Sequence, residues 1–154
     1  MKNILLDKNK MPQITTSALV PYSCQQMYQL VNDYARYPEF VPGCIATRSI
    51  WQQDNELIGE LTISKAGIQH SFSTRNRLMP YRAIQMQLVE GPFKHLQGEW
   101  RFDEIDEQSC QIRLNLTFEF ANPFISFAFG KIFTELNQRM INAFKQRAKE
   151  VYDV

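Results

Sequence analysis

The sequence predicts an α+β fold in which one curved antiparallel sheet of seven strands wraps around a long C-terminal helix. Polar and apolar residues alternate through most of residues 45–120, a pattern typical of strands. In the last thirty residues, apolar side chains instead recur every three or four positions, at Phe129, Phe133, Leu136, Met140, Phe144, Ala148 and Val151. A helix this long with one apolar face must pack against a large apolar surface, and the sheet offers one.

The composition is that of one globular domain without a dominant charge. The 154 residues carry 17 Lys and Arg against 16 Asp and Glu, a formal charge of +1, so no global field attracts the chain to nucleic acid or to membranes. Three cysteines without a CxxC pair are typical of reduced thiols. No apolar run approaches the roughly 20 residues of a transmembrane helix. We therefore expect a cytoplasmic protein with a flexible leader at residues 1–12, where Met11 is an alternative start, and one domain over residues 13–154.

The first strand and two short helices come before the main run of strands. Residues 13–20 alternate as a strand that Pro21 ends, and Ser23 can cap a short amphipathic helix that ends near residues 33–35. The segment 37–44 contains two prolines and a glycine, so it permits at most one further helical turn.

Six more strands are expected, followed by the long helix. Their predicted bounds are 45–53, 56–66, 69–79, 82–90, 93–103 and 109–120. Short turn-like separators between them predict antiparallel hairpins. Asn122 can cap the final helix and Pro123 suits its first position. This order of elements is the helix-grip arrangement.

The gap between the sheet and the helix is a natural ligand cavity. Polar Thr74 and Asn76 are expected on the covered face of their strand, whereas Ser71, Ser73 and Arg75 are expected on the solvent face. The predicted lining is Phe40, Phe72, Thr74, Asn76, Ile84, Met86, Leu88, Leu96, Trp100, Leu114, Leu116, Phe129, Phe133, Leu136 and Met140. Covered polar groups need hydrogen-bond partners, which a ligand, a water molecule or neighbouring side chains could supply. Such apolar stripes are also typical of a plain packed core.

The sequence contains no motif of a common catalytic or metal site. Glycine-rich phosphate loops, HExxH and GxSxG are all missing. His70 and His95 fall on separate predicted strands without further ligands, which favours structural or surface roles. Asp33 and Glu39 could form a paired-carboxylate site, but a helix end and a solvated turn are the simpler interpretations. We expect a protein that is not an enzyme and has no cofactor or metal.

The order of short motifs along the chain resembles the coenzyme Q-binding START-domain family. The motifs are Val20-Pro21-Tyr22-Ser23, Tyr37-Pro38-Glu39-Phe40-Val41-Pro42-Gly43-Cys44, Lys65-Ala66-Gly67-Ile68, Gly91-Pro92-Phe93, Trp100-Arg101-Phe102, Phe118-Glu119-Phe120, Ala128-Phe129-Gly130 and Arg147-Ala148-Lys149-Glu150-Val151-Tyr152. The resemblance covers essentially everything after residue 11. It implies a START-like helix-grip fold, in agreement with the pattern of elements.

The resemblance implies two functions. Members of the family bind ubiquinone or a related isoprenoid quinone in support of respiration, with the cavity as the site. A bacterial branch is described as ribosome-associating toxins, which implies binding to the large ribosomal subunit, a block of subunit joining and an antitoxin as a further partner. Exposed Arg75, Arg77, Lys145 and Lys149 could meet ribosomal phosphates. The same architecture also hosts polyketide cyclases and aromatases, so an enzyme of that kind is the alternative.

Overall fold

A computed structural model describes residues 4–7 and 10–153 and confirms the predicted α+β helix-grip class. In chain order the elements are β1 (Ile4–Asp7), β2 (Lys10–Val20), α1 (Cys24–Asn32), a 3₁₀ helix (Tyr34–Glu39), β3 (Cys44–Gln53), β4 (Glu56–Lys65), β5 (Ile68–Met79), β6 (Ala83–Glu90), β7 (Phe93–Asp106), β8 (Ser109–Phe120) and α2 (Pro123–Tyr152). The strands form one antiparallel sheet in the order β1-β2-β8-β7-β6-β5-β4-β3. The two predicted short helices lie between β2 and β3.

The sheet has one strand more than the seven predicted. Part of the expected leader forms β1, in which Ile4 pairs with Ile14 and Leu5 with Gln13. β2 also begins three residues earlier than expected, at Lys10. A four-residue edge strand is too short to show an alternating pattern, so periodicity did not reveal it. Residues 1–3, 8–9 and 154 lie outside the described residues.

Local capping interactions fix where both α helices begin. The Ser23 hydroxyl accepts a hydrogen bond from the Gln26 amide at 3.1 Å, and the Gln26 side chain accepts one from the Ser23 amide at 3.0 Å. This capping box satisfies two amides at the start of α1. At α2, Asn122 Oδ1 accepts a hydrogen bond from the Ile125 amide at 2.9 Å, and Pro123 follows as predicted. None of the described helices is long and apolar enough to cross a membrane.

The apolar face of α2 packs on the inner face of the sheet. The predicted stripe from Phe129 to Ala148 is buried, and Ile141 joins it. Val151, the last predicted member, is 41% exposed. Tyr152, four residues after Ala148, turns towards α1 instead, and its hydroxyl donates to the Gln26 carbonyl at 2.9 Å.

On β5 and β8 the two faces of the sheet follow the predicted alternation with one exception, whereas β3 is exposed along most of its length. On β8, the side chains from Cys110 to Phe118 alternate between buried and half-buried. On β5, Ser73 was expected in solvent but is only 2% exposed. It lies opposite Glu60 on β4 and Glu90 on β6, beside a register shift, and such longer side chains can shield a short hydroxyl.

Candidate functional site

The curved sheet and α2 enclose a cavity of about 90 Å³. Its wall combines side chains of α1, the 3₁₀ helix, the strands β4–β8 and α2. The lining residues are Val31, Asn32, Tyr34, Tyr37, Gly59, Leu61, Phe72, Thr74, Asn76, Ile84, Met86, Leu96, Gly98, Trp100, Leu114, Leu116, Phe133, Leu136, Asn137 and Met140. Most of the predicted lining residues are therefore brought together around one space, because alternate positions on neighbouring strands point to the same face.

Three predicted lining residues lie outside the cavity. Phe40 packs on Phe144 at 5.1 Å and under the Arg147 guanidinium at 4.9 Å, both distances taken between group centres. Phe129 is fully buried one helical turn before the cavity begins. Leu88 follows the same strand parity as Met86 and pairs with Thr74, but it packs against the core without lining the cavity.

The wall contributed by α1 and the 3₁₀ helix was not predicted. Val31, Asn32, Tyr34 and Tyr37 close the cavity on that side. Their local sequence pattern indicated two short helices but not which face would meet the sheet. Asn137 on α2 was also missed, because a polar residue one position after Leu136 in a helical stripe is normally exposed.

Two glycines in strand interiors could have indicated from the sequence where other side chains approach the sheet closely. A Cβ atom on Gly59 would lie 2.9 Å from the Tyr34 ring, and one on Gly98 would lie 2.4 Å from Leu116 Cδ2. Glycine within a strand often marks a close approach of another group. Here the missing side chains make room for Tyr34 and Leu116 at the cavity.

The polar groups in the cavity are partly used by the protein itself. Thr74 Oγ1 donates to Asn76 Oδ1 at 2.7 Å, and Asn137 Nδ2 donates to the Phe133 carbonyl at 2.8 Å. Each asparagine thus has one end of its amide engaged. The other ends, Asn76 Nδ2 and Asn137 Oδ1, supply a donor and an acceptor on a largely apolar wall, to which Asn32 and Tyr34 add further polar groups.

The lining of the cavity offers little for acid–base chemistry. Of the described residues that line the cavity, only Tyr34 and Tyr37 have titratable side chains. Burial raises the pKa of Tyr37, and its hydroxyl donates to the Val31 carbonyl. Tyr37 therefore stays protonated and fixes the end of α1.

The two histidines lie apart from each other. The His70 ring packs against Phe129 with 4.8 Å between ring centres. His95 Nε2, on β7, is buried without a hydrogen-bond partner among the residues described. Among the residues that the structure describes, no group of three or more His, Cys, Asp or Glu side chains is placed to hold a metal ion.

Asp33 and Glu39 belong to ion pairs on the outside of the 3₁₀ helix. Arg36 contacts Asp33 at 3.6 Å and Glu39 at 3.0 Å, and Arg147 of α2 contacts Glu39. The hydrogen bond from Arg147 lowers the pKa of Glu39 below its usual value. We call Arg36, Glu39 and Arg147 the ion-pair latch, because they tie the 3₁₀ helix to α2. Each carboxylate thus faces an arginine, and both are engaged in ion pairs.

The four candidate ribosome-facing cations do not share a surface. Arg75 and Arg77 lie on the outer face of β5, whereas Lys145 and Lys149 lie on the face of α2 turned away from the sheet. Since α2 covers the inner face of the sheet, the two pairs point in different directions. The sequence could not show this, because it does not fix how the helix lies against the sheet.

Arg75 and Arg77 lie beside a broad polar groove of about 610 Å³ on the outer face of the sheet. It is bordered by Glu56, Arg75, Arg77, Gln85, Met86, Gln87, Gln97, Gly98, Glu99, Asn115 and Thr117. Arg75 Nε pairs with Glu56 Oε1 at 2.6 Å, and its guanidinium lies 5.1 Å from the Trp51 ring centre. The groove is rich in amide side chains, which both donate and accept hydrogen bonds.

Comparisons with known proteins agree with this fold. Residues 20–145 match the family described as polyketide cyclase / dehydrase and lipid transport. The "Ribosome association toxin RatA" of Vibrio cholerae is 50% identical over 142 residues, which cover 92% of this chain and 99% of that protein. The "Coenzyme Q-binding protein COQ10 homolog B, mitochondrial" of Xenopus laevis is 24% identical, covering 94% of this chain and 61% of that protein. The Zhui aromatase/cyclase from Streptomyces sp. R1128 has the same fold, with a TM-score of 0.79, 18% identity and coverage of 90% and 94% of the two chains.

Proposed function

The chain belongs to the polyketide cyclase / dehydrase and lipid transport family, and within it to the group of ribosome association toxins RatA, and we propose that it combines two roles. In the first, the cavity binds a hydrophobic ligand, namely ubiquinone or a related isoprenoid quinone, in support of respiration. In the second, the chain associates with the large ribosomal subunit in the cytoplasm and blocks subunit joining. Neither role is catalytic.

The observation that carries the first role is the chemistry of the cavity wall. Mostly apolar side chains surround a free amide donor, on Asn76, and a free acceptor, on Asn137. A quinone carbonyl can accept from the donor, and a quinol hydroxyl can donate to the acceptor. Burial of an isoprenoid tail is favourable by about 25 cal/mol per Å² of apolar surface. The distant relative from Xenopus laevis, named for binding coenzyme Q, supports this choice of ligand.

The size of the cavity means that binding requires a more open state. Its 90 Å³ is below the roughly 300–1,000 Å³ of ligand pockets and below the ~150 Å³ of a cavity that holds benzene. A quinone with a tail therefore enters only if one end of the cavity opens. One end is closed by phenylalanine rings and the other by the 3₁₀ helix with its ion-pair latch.

The first experiment is native mass spectrometry of the protein purified gently from its host, followed by solvent extraction of any bound lipid. We expect a co-purifying quinone, and we expect an emptied protein to take up added short-tail quinone with quenching of Trp100 fluorescence. Leu136→Arg or Met140→Arg should abolish retention, because each places a charge against the cavity. Asn142→Arg, on the exposed face of the same helix, is the matched control. Folded Leu136→Arg that still carries quinone would refute the cavity as the site.

The second role rests on the relatives that are about half identical over the full chain and are named for ribosome association. The outer groove with Arg75 and Arg77 is our proposed contact, because cations and amides can meet phosphates and bases. Sedimentation of the protein with purified large subunits tests it. Arg75→Glu with Arg77→Glu should weaken binding and flatten its salt dependence.

Lys145→Glu with Lys149→Glu is the matched control for that experiment, since these lysines face another direction. If the lysine double variant lost binding to the large subunit and the arginine double variant kept it, the ribosome contact would lie on α2. An assay of subunit joining then tests the block itself, and a protein that relieves the block would be the antitoxin.

An enzyme of the polyketide cyclase or aromatase kind is the weaker alternative. The Zhui aromatase/cyclase shares the fold, but fold alone does not carry chemistry. Two tyrosines are the titratable groups among the cavity residues described, and this favours binding. Turnover of a polyketide substrate that is lost in Asn76→Leu would support the enzyme instead.

A further inference from the structure

We propose that the start of α2 is a membrane-docking tip that seats on an anionic lipid surface. We define the tip as residues Asn122–Lys131. It is separate from the cavity lining and from the outer-face arginines, so the proposal goes beyond the two roles above. It explains how a protein without a membrane-crossing helix among its described residues can stay close to a membrane lipid.

Two phenylalanines at the tip point into solvent. Phe124 is 79% exposed and Phe127 is 89% exposed, the highest values among the large apolar side chains described. They are three residues apart, so they share one face of the helix. Phe129 turns the other way and is fully buried. The exposed pair therefore contributes little to packing, although exposed aromatic rings are unfavourable in water.

The charge around the tip complements anionic lipid. From Asn122 to Gly130 the chain carries no charged residue. Lys131 follows one turn after Phe127, and its side chain is 88% exposed. The start of the helix adds a partial positive charge. An apolar face beside lysine is the pattern of segments that lie in a membrane interface.

The neighbouring carboxylates do not reverse this charge. Glu135 is contacted by both Lys65 at 3.5 Å and Lys131 at 4.0 Å, and Glu119 is contacted by Lys94 at 3.6 Å. Three lysines thus surround two acidic groups that they already neutralise. These contacts join three lysines to two glutamates, a net charge of +1 for the group, which favours an anionic bilayer.

The size of the patch favours a lipid surface over a protein partner. A stable protein interface buries about 1,200–2,000 Å² in total, whereas an aromatic side chain buries about 150–250 Å². Two rings are too few for such an interface. They are enough to insert into the outer few ångströms of a bilayer, where apolar helix faces reach a depth of about 5–10 Å.

The tip also adjoins the end of the cavity that is closed by phenylalanine rings. Phe129 contacts Phe133 with 5.9 Å between ring centres, and Phe133 lines the cavity. Phe127 and Phe133 are separated by about 9 Å along the helix axis, at about 1.5 Å per residue. Docking through the tip would bring this end of the cavity to the lipid.

Vesicle sedimentation with quinone-free lipid tests the proposal. We expect the wild-type chain to bind phosphatidylcholine vesicles that contain phosphatidylglycerol, and to bind pure phosphatidylcholine more weakly. Phe124→Gln with Phe127→Gln should lower the partition coefficient about tenfold or more. Lys131→Glu should lower it several-fold on the anionic vesicles alone.

The matched control removes two exposed apolar side chains elsewhere. Leu19 is 67% exposed and Ile105 is 56% exposed, so Leu19→Thr with Ile105→Thr should leave vesicle binding unchanged. A Phe127→Trp variant should show blue-shifted emission on the anionic vesicles and quenching by brominated lipid.

Any of three results would overturn the proposal: the wild-type chain binds neither kind of vesicle, the Phe124→Gln/Phe127→Gln variant binds as well as wild type, or the Leu19→Thr/Ile105→Thr control loses as much vesicle binding as that variant. Loss of self-association or of ribosome binding in the tip variant, without loss of vesicle binding, would assign the tip to a protein or ribosome contact. Because the vesicles contain no quinone, this outcome is independent of whether the cavity binds a quinone.

Discussion

The two ends of the cavity are closed by different kinds of interaction. At the start of α2, a cluster of phenylalanine rings packs with about 5–6 Å between ring centres, formed by Phe72, Phe93, Phe118, Phe120, Phe129 and Phe133. At the other end, Tyr34 and Tyr37 close the wall, and the ion-pair latch holds their helix on the surface. We call these the aromatic end and the latch end.

Whether water or lipid surrounds the molecule therefore decides which end opens more easily. In water, the aromatic end is held by buried rings whose exposure is costly. The latch end has buried contacts of its own, with Tyr37 and Phe40 packed on Phe144, and it is held in addition by surface ion pairs, which contribute little and weaken in salt. At a lipid surface the hydrophobic cost at the aromatic end falls, because lipid replaces water around the rings. The four predictions that follow test this contrast, from the largest expected effect to the smallest.

Phe133→Ala should be the most damaging of these changes. The ring is 2% exposed and contacts five other phenylalanines. We expect the free energy of unfolding to fall by about 3–5 kcal/mol, measured by urea denaturation. Phe124→Ala on the exposed face of the same helix is the control, and it should change stability by less than about 0.5 kcal/mol. Similar losses in both variants would mean that the aromatic end is not a packed closure.

Gly59→Ala should disturb the latch end without a large loss of stability. The new Cβ would lie 2.9 Å from the Tyr34 ring, so the ring must shift away from residue 59 and loosen the wall that it closes. We expect a cost of about 1–3 kcal/mol, as for other overpacking substitutions, and faster uptake of added quinone by stopped-flow fluorescence. Gly130→Ala is the matched control at the aromatic end. Its Cβ would make an ordinary 3.5 Å contact with Phe120, so helix propensity should raise stability by up to about 1 kcal/mol. Uptake at the wild-type rate in Gly59→Ala would argue against entry at the latch end.

A double-mutant cycle on the latch should give a small coupling energy. Arg147→Gln also removes the contact with the Phe40 ring, so the cycle with Glu39→Gln is needed to isolate the ion pair. We expect a small coupling that shrinks further in 1 M salt. A coupling that salt leaves unchanged would mean that the latch is not held as a solvent-exposed ion pair.

The pH dependence of the latch should be the smallest effect. The guanidinium of Arg147 lowers the pKa of Glu39 from its usual 4.5. A carboxylate with a lowered pKa in the folded state adds stability above pH 4.5, and this stability is lost as the pH falls through the lowered value. Wild type should thus be more stable than Glu39→Gln near neutral pH, and the difference should vanish in strongly acidic solution. A difference that grows as the pH falls would have the wrong sign for this assignment.

Much of the architecture follows from local patterns in the sequence. The alternation on β8, the capping residues Ser23 and Asn122, and the stripe from Phe129 to Ala148 each report on a few neighbouring residues. These patterns predicted the order of elements, the helix-grip class and most of the cavity wall. They succeeded because the direction of a side chain repeats every two residues in a strand and every 3.6 in a helix.

The tertiary structure decided the features on which function depends. The cavity volume of 90 Å³ is what remains between a curved sheet and a helix after every side chain is placed, and no local period encodes such a sum. The same is true of the position of Tyr34 and Tyr37 in the wall, of the position of Leu88 outside it, and of the separation of Arg75 from Lys145. The sequence by itself determined which residues face inward along each element. How closely those faces approach, and which exposed side chains become neighbours, depended on contacts between residues far apart in the chain.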